Sequence, residues 1–230
     1  CMEYPHNRPY TADDLVRIIT LLRDPVNGCP WDKVQTHTSI RMNFLEEAYE
    51  AVDALDLDDP VLMCEELGDV LMQVAFHTCM EQETGRFTWE QVCDGVCQKL
   101  IERHPNIFGT QPGYEGITDW DALKNKEKGR RTLADDLESV PRAMPALMRA
   151  AKLQKRAARH GAALQGADAA ALADAAENLQ TAQPASAQAE QAVGELLFAA
   201  ANLARQAGVD PEQALQKANE AFCTAAGPVA

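Results

Sequence analysis

The sequence has no lysine or arginine between Met42 and Gly85, although this stretch contains twelve aspartates and glutamates. Like charges repel, so such a run is unfavourable unless a cation joins the acids. The formal net charge of −14 argues against nucleic acid or an anionic membrane as a main partner. Residues 1–130 hold 12 basic and 24 acidic groups (net −12), whereas residues 131–230 hold 9 and 11 (net −2). We therefore expect the two parts to have different roles.

Other common signatures are also missing. The 7 cysteines include no Cys-x-x-Cys pair and form no disulfide-like framework, which favours reduced thiols and a cytoplasmic protein. No N-terminal apolar stretch suits a signal peptide, and no apolar run approaches the length of a membrane span. The sequence contains neither a Walker loop nor a His-Glu-x-x-His motif.

No alternation of apolar and polar residues is long enough for a useful β-strand. Apolar residues recur instead at helical spacing, which predicts an all-α fold, and their 46% share is ample for a core. The caps and breakers place the expected helices after Thr11, at about 38–57, at 60–83, from Thr88 to about 104, at about 119–128, and from Pro141 and Pro145 to about 160. The remaining sequence is rich in Ala, Gln and Leu, with breaks near 161–166, 183–184 and 208–211.

Two sets of acids lie within the helical pattern. The first set contains Glu46, Glu47 and Glu50, and the second contains Glu66 and Asp69. Residues three or four apart share a helix face, so two adjacent antiparallel helices would aim these carboxylates at one point. The alternative is a solvated acidic face. It is disfavoured because acids occur on both helices and basic partners are missing.

The type of ligand limits the metal. A carboxylate-bridged di-iron centre uses Glu-x-x-His on paired helices, and neither acidic set has it. Oxygen-only ligands favour Mg²⁺, Mn²⁺ or Ca²⁺. Mg²⁺ typically brings substrate phosphates with it, so the residues alone suggest a metal-dependent enzyme that acts on phosphates.

The acidic motif Glu46-Glu47-x-x-Glu50 followed by Glu66-x-x-Asp69 resembles the signature of the all-α nucleoside triphosphate pyrophosphohydrolases. The surrounding sequence resembles the MazG family in particular. The stretches that carry this resemblance are 22–25, 28–32, 35–37, 65–69, Lys99 through 103–105, Trp120, Lys124, 127–128 and 153–158.

The resemblance implies hydrolysis of a nucleoside triphosphate to monophosphate and pyrophosphate, for cleansing of the nucleotide pool. It implies Mg²⁺, with Mn²⁺ as an alternative, and a homodimer whose helical repeats pair into four-helix bundles. By position, the metal ligands are Glu47, Glu50, Glu66 and Asp69, and the residue that orients or deprotonates the attacking water is Glu46. Lys99 and Arg103 match basic residues suited to the phosphates.

Four further residues are candidates for contacts with substrate or for structural roles. Lys124 fits the family sequence and is expected to bind substrate, with a solvated linker as the alternative. Trp31 is a candidate to stack on a base, although a core or loop-anchoring role is favoured at least equally. His37 and His77 are expected to be structural.

The second half contains a faint repeat of the first. Aligning Gly194-Glu195 with Gly68-Asp69 puts Ala192 where Glu66 stands, and only Glu177 and Glu195 keep their carboxylates. We therefore expect a catalytic domain over residues 1–130 and a degenerate copy over 131–230. Two alternatives are a hydrolase of another pyrophosphate-bearing nucleotide and a catalytically weak helical dimer that binds nucleotide or protein.

Overall fold

The computed structural model describes residues 2–105, 107–109, 128–129 and 132–227. Across these residues it contains nine α-helices, one short 3-10 turn and no β-strand, so the all-α prediction is confirmed. The helix expected at 119–128 lies outside the described residues, apart from residue 128. The chain divides into two compact units, Cys1–Ile117 and Thr118–Ala230.

The first unit is built from four α-helices. They are α1 (Ala12–Leu22), α2 (His37–Leu57), α3 (Pro60–Glu83) and α4 (Trp89–Arg103), with the 3-10 turn at Asp32–Val34. Thr11, Thr36 and Thr88 begin α1, α2 and α4, and each forms a reciprocal capping box. These caps satisfy backbone N–H groups that a helix start leaves without partners.

The core of the first unit lies where α1 and α4 pack against the C-terminal half of α3. Its buried residues are Ile19, Ile40, Ala75, Phe76, Cys79, Met80 and Trp89. This half of α3 is buried, whereas its N-terminal half is largely exposed or half-buried. The core therefore anchors one end of α3 and leaves the acidic end accessible.

The loop between α1 and α2 is held by Arg23. The buried guanidinium of Arg23 donates to both carboxylate oxygens of Glu83, at 2.6 and 2.8 Å. It also donates to the backbone carbonyls of Asp32 and Gln35, at 2.7 and 3.2 Å. One side chain thus ties the loop to the end of α3, because a guanidinium presents several donors in a fixed plane.

The second unit contains five α-helices among the described residues. They are α5 (Leu133–Glu138), α6 (Ala146–Arg159), α7 (Ala169–Thr181), α8 (Ala187–Gln206) and α9 (Pro211–Ala226). The sequence did not lead us to expect α5. Its signal is the capping box that Thr132 forms with Asp135. The long helix expected from Pro141 and Pro145 begins at Ala146, with Pro145 as its N-cap residue.

A buried ionic network joins α5 to α6. Asp136 is 1% exposed, and one of its carboxylate oxygens lies 3.1 Å from Nη1 of buried Arg156. The same nitrogen donates to the backbone carbonyl of Asp136 at 2.6 Å, and Nε2 of His160 lies 3.1 Å from the other carboxylate oxygen. Such a network replaces the water that both charges lose on burial.

Small side chains allow α7 and α8 to pack closely. Buried alanines line this part of the second unit: Ala175, Ala192, Ala199 and Ala201. None of the helices in the described part of the chain is both long enough and apolar enough to cross a bilayer.

Candidate metal centre

The hairpin of α2 and α3 positions the acidic residues. Asp58 adopts the left-handed conformation (φ 53°), which ends α2 and turns the chain back. The side chain of Asp59 then accepts hydrogen bonds from the backbone N–H groups of Val61 and Leu62, and Pro60 occupies the first helical turn. With so short a connection, the two helices pack side by side in opposite directions. The two acidic sets are therefore brought to the same part of the hairpin.

Three carboxylates converge across this hairpin. Oxygens of Glu47 on α2 and of Glu66 and Asp69 on α3 all lie within 4.8 Å of one another. All three side chains are half-buried. Within the described residues no other group of His, Cys, Asp or Glu side chains comes together in this way. The three residues offer only carboxylate oxygens, which suit a hard divalent cation.

Burial and repulsion between acids both disfavour the charged forms of Glu47 and Glu66. Burial raises the pKa of Glu47, and the negative charge of Asp69 raises it further. Burial also raises the pKa of Glu66, with the charges of Glu50 and Asp69 adding to the effect. Every charge among the described residues that perturbs these two groups is another acid. A bound cation would reverse the sign of these interactions.

An amide side chain adjoins the cluster. Nε2 of Gln73, which is 7% exposed, donates to a carboxylate oxygen of Glu47 at 3.4 Å. Gln73 follows Asp69 by four residues and so lies on the same face of α3. Its Oε1 is buried without a hydrogen bond in the described structure. We did not predict Gln73 from the sequence; its spacing from Asp69 is the signal that could have found it.

The other expected site acids lie beside the cluster. Glu46 and Glu50 are exposed on α2. Glu50 is not one of the three converging carboxylates, but it is close enough for its charge to raise the pKa of Glu66. The geometry therefore groups three of the four expected ligands, with Glu50 at the edge of the group.

The residues expected to contact substrate come from several parts of the chain. Lys99 is exposed and Arg103 is half-buried near the end of α4, a helix that packs against α3. Trp31 is 58% exposed in the loop before α2, where its carbonyl accepts a hydrogen bond from Gln35. Lys124 lies outside the described residues.

Comparison with known proteins agrees with this geometry. The model of the MazG nucleotide pyrophosphohydrolase domain matches residues 35–108, which contain α2, α3, α4 and both acidic sets. The nucleoside triphosphate pyrophosphohydrolase of Escherichia coli K12 is 41% identical over 219 residues, covering 91% of this chain and 83% of that protein. The nucleoside triphosphate pyrophosphohydrolase/pyrophosphatase MazG of Thermotoga maritima is 39% identical over 212 residues, covering 91% and 82%. The chain belongs to the MazG family.

The second unit has fewer acids at the positions that align with the acidic sets of the first unit. Glu177 on α7 and Glu195 on α8 are both exposed. Ala192, at the aligned position of Glu66, is 3% exposed, so a carboxylate there would be buried. No three-carboxylate group is found in the described residues of this unit.

Proposed function

We propose that this MazG-family hydrolase converts nucleoside triphosphates to nucleoside monophosphates and pyrophosphate with a divalent cation at Glu47, Glu66 and Asp69. The observation that carries the proposal is the convergence of three half-buried carboxylates without a basic neighbour among the described residues. Family membership supports the reaction type. Mg²⁺ is the proposed ion and Mn²⁺ the alternative, because both prefer oxygen ligands.

The remaining acids complete the proposed site. When bound, the cation would neutralise phosphate charge and lower the pKa of its water. Glu50 would act as a fourth ligand, since its charge already acts on Glu66. Exposed Glu46 would orient the attacking water and accept its proton.

Basic and aromatic side chains are proposed to hold the substrate. Lys99 and Arg103 on α4 would bind the phosphates and stabilise the departing pyrophosphate. Lys124, the third residue expected to bind substrate, lies outside the described residues. Exposed Trp31 would contact the nucleoside. The proposed role in the cell is removal of noncanonical or surplus triphosphates in the cytoplasm.

We assign catalysis to the first unit. It carries all five clustered acids, whereas the second unit keeps only Glu177 and Glu195. In this proposal the second unit is a degenerate MazG copy that serves packing or dimerisation.

A homodimer is proposed because large apolar side chains on the hairpin are exposed. Leu55 on α2 and Leu67 and Leu71 on α3 are 51%, 50% and 40% exposed. A second copy of the hairpin would cover them in a four-helix bundle. In light scattering at micromolar concentration we expect a dimer. Leu55→Arg should weaken this dimer. Val26→Arg, at a loop residue that is 78% exposed, should leave it unchanged. A monomeric wild-type protein would contradict this assembly.

Product analysis tests the reaction. With Mg²⁺ and a panel of canonical and modified triphosphates, we expect monophosphate and pyrophosphate, and no activity with EDTA. Glu50→Gln should cut turnover severely because a ligand charge is lost, while Asp53→Asn, an exposed acid further along α2, should leave turnover unchanged. Release of diphosphate and orthophosphate would refute the reaction type. Nucleotide binding without turnover would favour the catalytically weak dimer.

A further inference from the structure

A cavity of about 470 Å³ lies further along the same hairpin, beyond the carboxylates. Its wall includes Phe44 on α2, Val74 and His77 on α3, Phe87 in the loop after α3, and Val92 on α4. The volume is in the range of cavities that bind small molecules, and a mostly apolar wall is typical of them. None of these residues was expected to contact substrate.

The cavity continues the surface that carries the carboxylates. Asp69, Gln73 and His77 are spaced by four residues, so they form one stripe along α3. On α2, Phe44 precedes Glu47 by three residues and shares its face. At about 1.5 Å per residue, the cavity begins roughly 5–8 Å along the helices from the acids. A ligand held by its phosphates at the carboxylates would extend its other end into the cavity.

The cavity wall is ordered by contacts among its own rings. The imidazoles of His37 and His77 stack with centroids 5.0 Å apart and planes 9° from parallel, and their Nδ1 atoms lie 2.7 Å apart. The ring of Phe44 meets His77 edge-on, with centroids 5.8 Å apart. Aromatic pairs prefer these two arrangements. The two histidines, which were expected to be structural, also line the cavity.

The polar groups of the wall are bound to one another. One carboxylate oxygen of Glu81, a side chain 8% exposed, lies 2.5 Å from Nε2 of His37 and 2.5 Å from an Nη atom of Arg86. The hydroxyl of Thr78 donates to the carbonyl of Val74 at 2.8 Å. With these groups engaged, the wall offers ring faces and apolar side chains more than free donors and acceptors.

We propose that this cavity holds the base of the nucleotide, by stacking and apolar contact. The inference rests on the proposed function and adds the base-binding residues, of which Phe87 and Phe44 are the chief ones. Every base has a flat face, so stacking tolerates both purines and pyrimidines. The site should therefore accept both purine and pyrimidine nucleotides, because the phosphates that all of them share make the same contacts.

Phe87→Ala tests the proposal. Phe87 is 39% exposed and outside the helices, so its removal leaves the core intact. We expect the KM for both a purine and a pyrimidine triphosphate to rise about fivefold or more, the usual effect of losing one stacking ring, with kcat within about twofold. Inhibition by tripolyphosphate, which has no base, should be unchanged.

Two other variants sharpen the test. Val92→Trp would fill the cavity and should raise KM in the same way. Phe222→Ala removes a phenylalanine that is 74% exposed on α9 and should change neither KM nor tripolyphosphate inhibition. Circular dichroism would confirm that each variant is folded.

Three results would overturn the assignment: an unchanged KM in both cavity variants, a parallel loss of tripolyphosphate inhibition, or a KM increase confined to Trp31→Ala. A failure of the proposed function would look different, because the wild-type protein would then hydrolyse no triphosphate. In that case calorimetric titration with a nucleoside monophosphate still tests the cavity. Equal binding to wild type and Phe87→Ala would exclude it.

Discussion

Glu47→Gln should stabilise the metal-free protein and abolish its stabilisation by Mg²⁺. The substitution preserves the shape of the side chain and an oxygen that can accept from Gln73. It removes a negative charge whose carboxylate lies within 4.8 Å of those of Glu66 and Asp69. A single neutralisation therefore relieves repulsion in the empty site but deletes a ligand from the occupied one.

The magnitude follows from the separation of the charges. Two unit charges about 4.8 Å apart repel by roughly 0.9 kcal/mol in a medium as polar as water. Glu47 has two such neighbours, but its partial exposure and salt both weaken the repulsion. We expect a net gain of about 1 kcal/mol, or roughly 2–4 °C in melting temperature for a chain of this size.

Thermal unfolding of wild type and variant, each in EDTA and in Mg²⁺, would measure both effects. In EDTA the variant should melt at the higher temperature. An ion present at 100 times its Kd stabilises the folded state by about 2.7 kcal/mol, so with Mg²⁺ the order should reverse.

Glu195→Gln is the matched control. Glu195 is an exposed helical glutamate whose carboxylate accepts a hydrogen bond from Gln191 at 2.7 Å, and it belongs to no acidic cluster among the described residues. It should shift the free energy of unfolding by about 0.5 kcal/mol or less in either buffer. The reasoning fails if Glu47→Gln destabilises the protein in EDTA, or if the variant and the wild type gain equally from Mg²⁺.

The remaining predictions concern pH, the working unit and the buried network. The pKa of Glu47 is raised on folding, so its repulsion is present above the raised pKa and disappears as the pH falls through it. The higher melting temperature of Glu47→Gln in EDTA should therefore approach that of wild type as the pH falls. Calorimetry over the same pH range should show weaker Mg²⁺ binding, because protons compete for the carboxylates. In steady-state assays at saturating Mg²⁺, Asp69→Asn should lose turnover by at least about tenfold, and Glu195→Gln by less than about twofold. A larger loss for Glu195→Gln than for Asp69→Asn would place the active site in the second unit. Asp136→Asn should cost about 3–5 kcal/mol in denaturant unfolding, since it leaves buried Arg156 without its anionic partner, and a loss below about 1 kcal/mol would show that the network contributes little.

Local chemistry made most helix boundaries predictable. Thr11, Thr88 and Pro60 specify helix starts through the backbone groups next to them, and the structure begins α1, α4 and α3 there. The same logic applied to Thr132, which forms a capping box with Asp135, would have predicted α5.

The acidic centre was predictable because helical spacing and a short turn restrict where side chains can point. Given two adjacent helices joined at Asp58 and Asp59, residues three or four apart on each must share the facing surface. The sequence alone therefore placed Glu47, Glu66 and Asp69 together. It treated Glu50 as their equal, whereas packing leaves that side chain exposed at the edge.

What the sequence by itself determined is the all-α class, most helix limits and the existence of an oxygen-only acidic cluster, because these depend on neighbours along the chain. The tertiary structure alone decided which residues meet when no short turn joins their elements. The pairing of Arg23 with Glu83 and the assembly of the rings around the cavity are two such cases. Their contacts arise from the packing of α1 and α4 on α3, and no local spacing encodes that arrangement.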